Sequence, residues 1–593
     1  MIQTKQQKQA NTQPRKHIRF SSKQITQQRK PVVHPVRSVA QQTKKLRIIP
    51  LGGLEEVGRN MTLFEYGNDI IIIDMGLQFP EEDMPGIDYI IPNIKYLKGK
   101  ERNIKGVFIT HGHMDHIGAI PHLMPRLGNP PMFTAALTAG IIKKKQEDYP
   151  NVSPLNIKVV NFESRVNLGN FKVEFFHVNH NIPDVLGMAI YTPEGLIIHT
   201  GDFKFDHSPT TDKPADIGRI AQLGSQNVLA LMSDSTGAEH PGHSISEQEI
   251  QKTIDGIISK AKGRIIVATF SSLISRIQQV ITISEKYGRK VAIDGYSMRT
   301  NIEIANKLGY LKFRKGTIIR PEQMKNYPDD KISLMCTGAQ GEGRAVLMRI
   351  VNKEHRHVQI KKADTVIFSS SVVPGNERTV QNLKDQLYRQ GADVVHYKMM
   401  DVHVGGHAQI EDLKMMINLI KPKFFIPIHG NFYMLRLHAN IAENLGIPPS
   451  NTIVAGNGNV IEMTKNNAAI TKEKIPSNYV MVDGLGVGDV GNVVLRDRQQ
   501  MSEDGMFTIV VIVDSKTGKI VGSPDIISRG FIYMKGSTEL VKETKNKVAE
   551  IVNKKAAPEH DTNWAYIKDN IRDQIGQFLF NKTQRRPMIL PVV

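Results

Sequence analysis

Residues 107 to 118 read Val-Phe-Ile-Thr-His-Gly-His-Met-Asp-His-Ile-Gly, which sets His111, His113, Asp115 and His116 inside six positions. Three imidazoles and a carboxylate at this spacing can hold zinc or a similar divalent ion. The alternative is a surface histidine cluster. From this chain's own His and Asp frequencies, chance supplies such a pattern on the order of once in a thousand similar chains, so metal binding is the stronger reading. Two further groups repeat the theme. His180 lies in Phe175-Phe-His-Val-Asn-His-Asn-Ile-Pro-Asp, and Asp202 ends Gly195-Leu-Ile-Ile-His-Thr-Gly-Asp. Each follows an apolar run, and together they read as completing a two-metal site.

The elements that must position these residues are short strands. Val107 to Thr110 is β-branched and aromatic, the pattern of a buried strand feeding the histidine loop. Ile70 to Ile73 reads as a central strand that delivers Asp74 at its C-terminal end. Asp74 is either a partner that orients a ligating imidazole or a turn aspartate that ends a strand. Further on, Gly263 to Phe270, Lys290 to Asp294, Lys331 to Gly338 and Asp364 to Ser371 are strands separated by helical stretches. That alternation predicts a parallel α/β unit inserted between Asp202 and the later histidines.

Composition narrows the classes. The 593 residues suffice for three or four domains, and the single cysteine, Cys336, excludes an intramolecular disulfide and suits a reducing cytoplasm. No apolar run reaches membrane-spanning length, and the start lacks the apolar core of a signal peptide. The net charge of +19 points to a polyanionic partner, and residues 1 to 47 contribute twelve of it, leaving +7 for the rest. Residues 1–45 read as a disordered basic arm, serving either as a salt-sensitive nucleic-acid contact or as a solvated tail. Beyond residue 463 a Gly-rich stretch reads as a linker, followed by a small α/β domain with helices near 537–555 and 562–580.

The order His111-x-His113-x-Asp115-His116, His180, Thr200-Gly-Asp202 resembles the metallo-β-lactamase superfamily, whose fold is an αββα sandwich. The resemblance implies that His111, His113 and His180 hold one metal, that Asp115, His116 and His429 hold a second, and that Asp202 bridges them. The inserted unit resembles a β-CASP domain: Asp234 in Ser233-Asp-Ser-Thr fits its acidic motif, and His407 in His403-Val-Gly-Gly-His407 and His429 fit its later ones. Leu51-Gly-Gly-Leu, Cys336-Thr-Gly-Ala-Gln-Gly-Glu, Pro524-Asp-Ile-Ile-Ser-Arg-Gly-Phe and Arg586-Pro-Met-Ile-Leu-Pro-Val are similar to the ribonuclease J family across about residues 46 to 593. One departure is Gly405, where that family usually carries serine.

The implied architecture is an α/β chain with a metallo-β-lactamase domain in two parts (46–244 and 390–462), a β-CASP domain (245–389), a linker (463–492) and a C-terminal domain (493–593). The implied activity is metal-dependent exo- and endonuclease cleavage of RNA in mRNA decay and RNA maturation, in the cytoplasm. Two divalent ions, zinc or alternatively manganese, would activate water, orient the phosphodiester and offset charge. Asp202, Asp234 and His407 form the implied catalytic set, with His407 protonating the leaving 3′-oxygen. Ser233, Ser235, His403, Val404, Gly405, Gly406 and His407 would receive a 5′-monophosphate, although His403 also reads as a core or loop histidine. The resemblance further suggests a homodimer or homotetramer, partners among RNA-decay proteins, and a structural calcium at Pro85, Ile87 and Asp483. Two other functions compete: a small-molecule metallohydrolase, against which the insert and basic charge weigh, and a catalytically silent scaffold of an RNA-decay complex, against which the complete ligand set weighs.

Overall fold

The computed structural model describes residues 44–373, 375–514, 517, 519–555 and 564–593. Of the basic arm expected over 1–45, residues 1–43 lie outside the described residues.

Two sheets form a sandwich. The first has eight strands in the order Ala468–Lys474, Asn459–Met463, Leu46–Gly52, Met61–Tyr66, Asp69–Ile73, Ile104–Phe108, Met132–Thr134, Ile157–Val159. The second has six: Phe424–Ile428, Ala230–Asp234, Gly195–His199, Leu186–Thr192, Phe171–His177, Arg165–Leu168. Phe64, Ile71, Ile73 and Phe108 from one sheet meet Phe175, Met188, Ile197, Met232 and Ile426 from the other in a shared core. The alternate residues Ile70, Ile72 and Val107 point the other way, into a second core with Ile117, Leu123 and Met124. A strand covered on both faces has no polar side to show, which explains the unbroken Ile70-Ile-Ile-Ile73 run.

The inserted unit is a six-stranded sheet in the order Ile318–Ile319, Lys290–Asp294, Ile332–Cys336, Ile265–Thr269, Thr365–Ser369, Asp393–His396. All of its pairings are parallel, as the alternation of strands and helices predicts. Ile265 and Val267 share one continuous core with Ile198 and Leu231 of the sandwich. The insert therefore packs on the helix-covered face of the second sheet.

At the C-terminal end, Met506–Val510 lies between Asp525–Arg529 and Met588–Val592. Helices Thr538–Lys555 and Trp564–Thr583 cover that sheet through Val548, Ile551, Ile571 and Ile575. The segment expected to be a linker differs from expectation. Ala468–Lys474 is an edge strand of the large sheet, and Val480–Asp483 pairs with Tyr89–Ile91, burying Val482 completely. Glycines clustered from Gly484 to Gly491 obscure a four-residue strand that is stabilised by long-range pairing rather than by its own pattern.

Candidate metal and phosphodiester site

Strand direction assembles the site. Asp69–Ile73 and Ile104–Phe108 are parallel. Gly195–His199, Ala230–Asp234 and Phe424–Ile428 run parallel to one another. Phe171–His177 shares their direction, because each of its neighbours in turn reverses. Asp74, His111, His180, Asp202, Asp234 and His429 all stand at or just beyond the C-terminal ends of these strands, where loops from both sheets converge. Asp115 and His116 lie in the one-turn helix Met114–Ile117 that follows the first histidines.

The seven expected ligands fall into two groups of donor atoms, each within 4.8 Å of one another. In the first, His113 Nδ1 is 3.0 Å from His111 Nε2 and 3.1 Å from His180 Nε2. In the second, His116 Nε2 lies 3.4 Å from Asp115 Oδ2 and 3.2 Å from Asp202 Oδ2, and His429 Nε2 lies 3.5 Å from Asp202 Oδ2. Asp202 Oδ2 is also 3.7 Å from His111 Nε2 and 3.9 Å from His180 Nε2. One carboxylate oxygen thus faces both groups.

The outward ring nitrogens prepare the inward ones. His116 Nδ1 donates to Asp74 Oδ2 at 2.8 Å, His180 Nδ1 to the Gly406 carbonyl at 2.7 Å and His429 Nδ1 to Asn60 Oδ1 at 2.9 Å. Each donation places the lone pair on the nitrogen that faces the cluster, the usual way a ligating imidazole is oriented. Asp74 is itself fixed by the Thr110 N–H and hydroxyl. It and His429 adopt left-handed backbone, with φ of 61° and 54°, which aims their side chains back over the strand ends. Gly76 allows this packing, because a Cβ there would stand 1.5 Å from the Asp115 carbonyl.

Burial, chiefly, pushes the His111 and His180 imidazoles well below the ordinary histidine range and holds His113 near 4, so all three present neutral lone pairs. His116 differs. Burial opposes its charge, but the Asp202, Asp115 and Asp74 carboxylates raise it well above the usual value. The carboxylates demand positive charge at this point, and a proton on His116 or a metal ion satisfies the same demand. Neutral imidazoles on one side and excess carboxylate on the other fit two divalent cations.

Next to this cluster, His407 Nδ1 bonds Asp234 Oδ2 at 2.7 Å, and the His407 ring stacks on His429 with centroids 5.6 Å apart. Burial again disfavours the charge, but Asp234, then Asp202 and Asp115, outweigh it and lift His407 to about 9. Most of the remaining residues expected to receive a phosphate lie beneath the surface. Ser233 and Ser235 have no exposed surface, and the Ser235 hydroxyl is held between His438 Nδ1 and the Ser233 carbonyl. His403 and Val404 are buried, and His403, pushed down to about 3 by burial and then by Arg276, behaves as a core histidine. Gly406 is buried as well, and a Cβ there would lie 2.3 Å from His180 Cε1. Gly405 is exposed and His407 partly so. Among the described residues, the Ser233 hydroxyl and His403 Nδ1 are buried without a hydrogen-bond partner.

At the expected structural calcium, the loop and Asp483 meet an arginine. Arg498 donates to the Asp483 carboxylate and, at 3.3 Å, to the Pro85 carbonyl. Ile87 is buried among Met84, Ile90 and Leu495. A guanidinium therefore stands beside both the Asp483 carboxylate and the Pro85 carbonyl.

Residues 54–243 match the metallo-beta-lactamase superfamily, and 394–452 match a Zn-dependent metallo-hydrolase RNA specificity domain. Residues 262–387 match the ribonuclease J beta-CASP domain, and 493–593 the ribonuclease J C-terminal domain. A solved structure of a protein of unknown function from Enterococcus faecalis shares the fold at a TM-score of 0.53 and 16% identity, covering 71% of this chain and all of that one. Fold and site together define a metal-dependent hydrolase of the metallo-β-lactamase superfamily. Ribonuclease J 1 of Streptococcus pyogenes serotype M3 is 41% identical over 94% of this chain and 99% of its own length. Ribonuclease J2 of Bacillus subtilis is 38% identical over 93% and 99%, and ribonuclease J 2 of Staphylococcus epidermidis 38% over 94% and 99%. The chain belongs to the ribonuclease J family.

Three residues escape the sequence reading: Asn60, which orients His429; Thr110, which fixes Asp74; and His438, which holds Ser235. Only Thr110, adjoining the histidine motif, carried a positional signal. The Asp74 geometry gives a direct test. Asp74→Asn keeps the shape but removes the carboxylate that sets the His116 tautomer, and affinity for the second metal should fall about ten- to a hundredfold. Calorimetric titration with zinc reads this out, and the step assigned to the three-histidine group should remain in place.

Proposed function

We propose that this chain is a metal-dependent ribonuclease that cuts RNA internally and trims it from a 5′-monophosphate end, acting in mRNA decay and RNA maturation in the cytoplasm. The observation that carries the reading is Asp202 Oδ2, which faces both ligand groups beside the His407–Asp234 pair. His111, His113 and His180 are the proposed ligands of one ion, Asp115, His116 and His429 those of the other, and Asp202 is shared. Zinc suits these donors, and manganese accepts the same set. When bound, the two ions supply Lewis acidity, a water of lowered pKa and charge compensation for in-line displacement at phosphorus.

The chain's own residues perform the rest. His407, held as an imidazolium by Asp234, donates a proton to the departing 3′-oxygen. Asp234 keeps the ring's Nδ1 occupied, so that Nε2 faces the reaction. The backbone amides of Gly405 and Gly406 are the proposed anchor for a terminal phosphate, as successive amides in a Gly-rich loop form an anion nest. The domain limits read from the sequence, assembly as a homodimer or homotetramer and association with other RNA-decay proteins belong to the same proposal. All seven ligand positions are filled by competent residues, which favours an enzyme over a silent scaffold.

Asp115→Ala should abolish cleavage of 5′-monophosphate RNA while the circular dichroism spectrum and thermal transition persist, because the residue lies in a one-turn helix and its side chain is outside the hydrophobic clusters. Undiminished cleavage by the folded variant at saturating metal would sink the assignment.

The acid role of His407 has a pH signature. A proton donor works below its pKa, so a value near 9 keeps His407 competent through neutral pH, and the rate falls as pH rises through that value. Asp234→Asn removes the largest of the carboxylate contributions that hold the proton against burial. The alkaline limb of kcat should therefore move to lower pH, and a limb that stays in place would assign the proton to another group.

Gly405→Ser tests the phosphate anchor. No described residue stands within 4 Å of a Cβ at Gly405, so a serine fits among them without displacement. A hydrogen bond to a charged group contributes about 1.5 to 3 kcal/mol, roughly ten- to a hundredfold in affinity. The preference for 5′-monophosphate over 5′-hydroxyl RNA should rise within that range, and an unchanged ratio would place the phosphate elsewhere.

A further inference from the structure

The inserted unit sends one cation into the interior toward the site. Arg276, on helix Ile274–Lys286, has no exposed surface. Its Nε donates to Gln279 Oε1 at 2.7 Å and its Nη2 to Glu247 Oε2 at 2.8 Å. Its Nη1 donates to the Ser369 hydroxyl and, at 2.5 Å, to the carbonyl of Val402. The Ser369 hydroxyl donates to the same carbonyl at 2.7 Å. Val402 immediately precedes the loop His403 to His407, whose Gly406 carbonyl accepts from His180 and whose His407 pairs with Asp234.

Glu247 extends the network to the other side of the site. Its Oε1 lies 3.5 Å from Lys204 Nζ, and its backbone N–H donates to Asp206 Oδ2 at 2.9 Å. Lys204 and Asp206 follow Asp202 in the chain, and the Ala408 N–H donates to the Phe203 carbonyl at 2.6 Å. Lys204, Glu247 and Arg276 are all buried. Burying three charges is a poor way to stabilise a fold, since apolar residues of similar volume often do as well or better. What apolar residues cannot do is hold a carbonyl, a hydroxyl and a carboxylate at once in one plane, which a guanidinium does.

We propose that Arg276 is a positioning residue: by fixing the Val402 carbonyl from the inserted unit, it sets the 403–407 loop so that Gly406 orients His180 for the first metal. The inference rests on the two-metal reading given above. It concerns a residue that touches neither the ligands nor the reacting atoms, and its effect reaches them through one backbone carbonyl at each end of a short loop.

Arg276→Lys tests it, because lysine keeps a positive charge opposite Glu247 but lacks the fork that also reaches Val402. Where that variant does not fold, Arg276→Met combined with Glu247→Gln removes both charges together and leaves no uncompensated carboxylate. The probe is cobalt(II), followed by its absorption spectrum, titrated into each purified, metal-stripped protein. The binding step that survives in Asp115→Ala belongs to the three-histidine group. In the folded Arg276 variant this step should weaken about ten- to a hundredfold, with an altered spectrum, while the other step keeps its affinity. Unchanged affinity and spectrum at the three-histidine step, or equal weakening of both steps, would overturn the proposal. Absence of cobalt binding by the unaltered protein would instead overturn the two-metal reading on which it stands.

Discussion

Asp202 carries a carboxylate into the interior and surrounds it with imidazole. Four ring nitrogens lie between 3.2 and 3.9 Å from a single oxygen. An isolated carboxylate in such a place would take up a proton or disrupt the packing, because desolvation of a charge costs several kcal/mol or more. Here the pKa moves the other way: burial pushes it up, but His116 and His429 hold it well below the usual carboxylate range. The cluster is therefore a place built to accept positive charge. Its neighbours follow from that constraint, with neutral histidines on one side and a second carboxylate on the other.

A charge cluster of this kind is assembled by backbone direction before any side chain acts. Both sheets of the sandwich present parallel strand ends on one edge, so residues from widely separated stretches of chain meet. The apolar runs that make those strands are uniform in composition because both of their faces are covered. The polar residues that serve the site therefore fall at the end of such a run, as Asp234 does, or just past it, as Asp74, His180, Asp202 and His429 do.

This confinement explains which parts were legible in the sequence. The histidine cluster, Asp202 and the parallel insert could be read, because each depends on local pattern: ligand spacing within a loop, or apolar runs alternating with amphipathic helices. The supporting contacts could not. Asn60 meets His429 across 369 positions of chain, and nothing in its own neighbourhood marks it. The burial of Ser233 and Ser235 at a strand end, and the His438 contact to Ser235, leave no mark in their motif. Val480–Asp483 was hidden by glycines, since a short strand paired to a distant one needs no periodicity of its own. Arg498 falls where a cation was expected, and sequence alone does not distinguish a metal from an arginine that supplies the same charge.

Two of the contacts that set the 403–407 loop share a further property: their acceptors are main-chain carbonyls. Gly406 orients His180 and Val402 receives Arg276 through atoms that every residue possesses. A side-chain acceptor would restrict residue type at those positions and leave a signature, whereas a carbonyl restricts only the path of the chain. The one trace is steric: Gly406 must lack a Cβ because His180 occupies its space, while the adjacent Gly405 has room to spare. Two neighbouring glycines, alike in the sequence, are thus held by different constraints. One is required by the close approach of an imidazole to the backbone. The other is open to solvent and has room for a side chain that could meet whatever the loop binds.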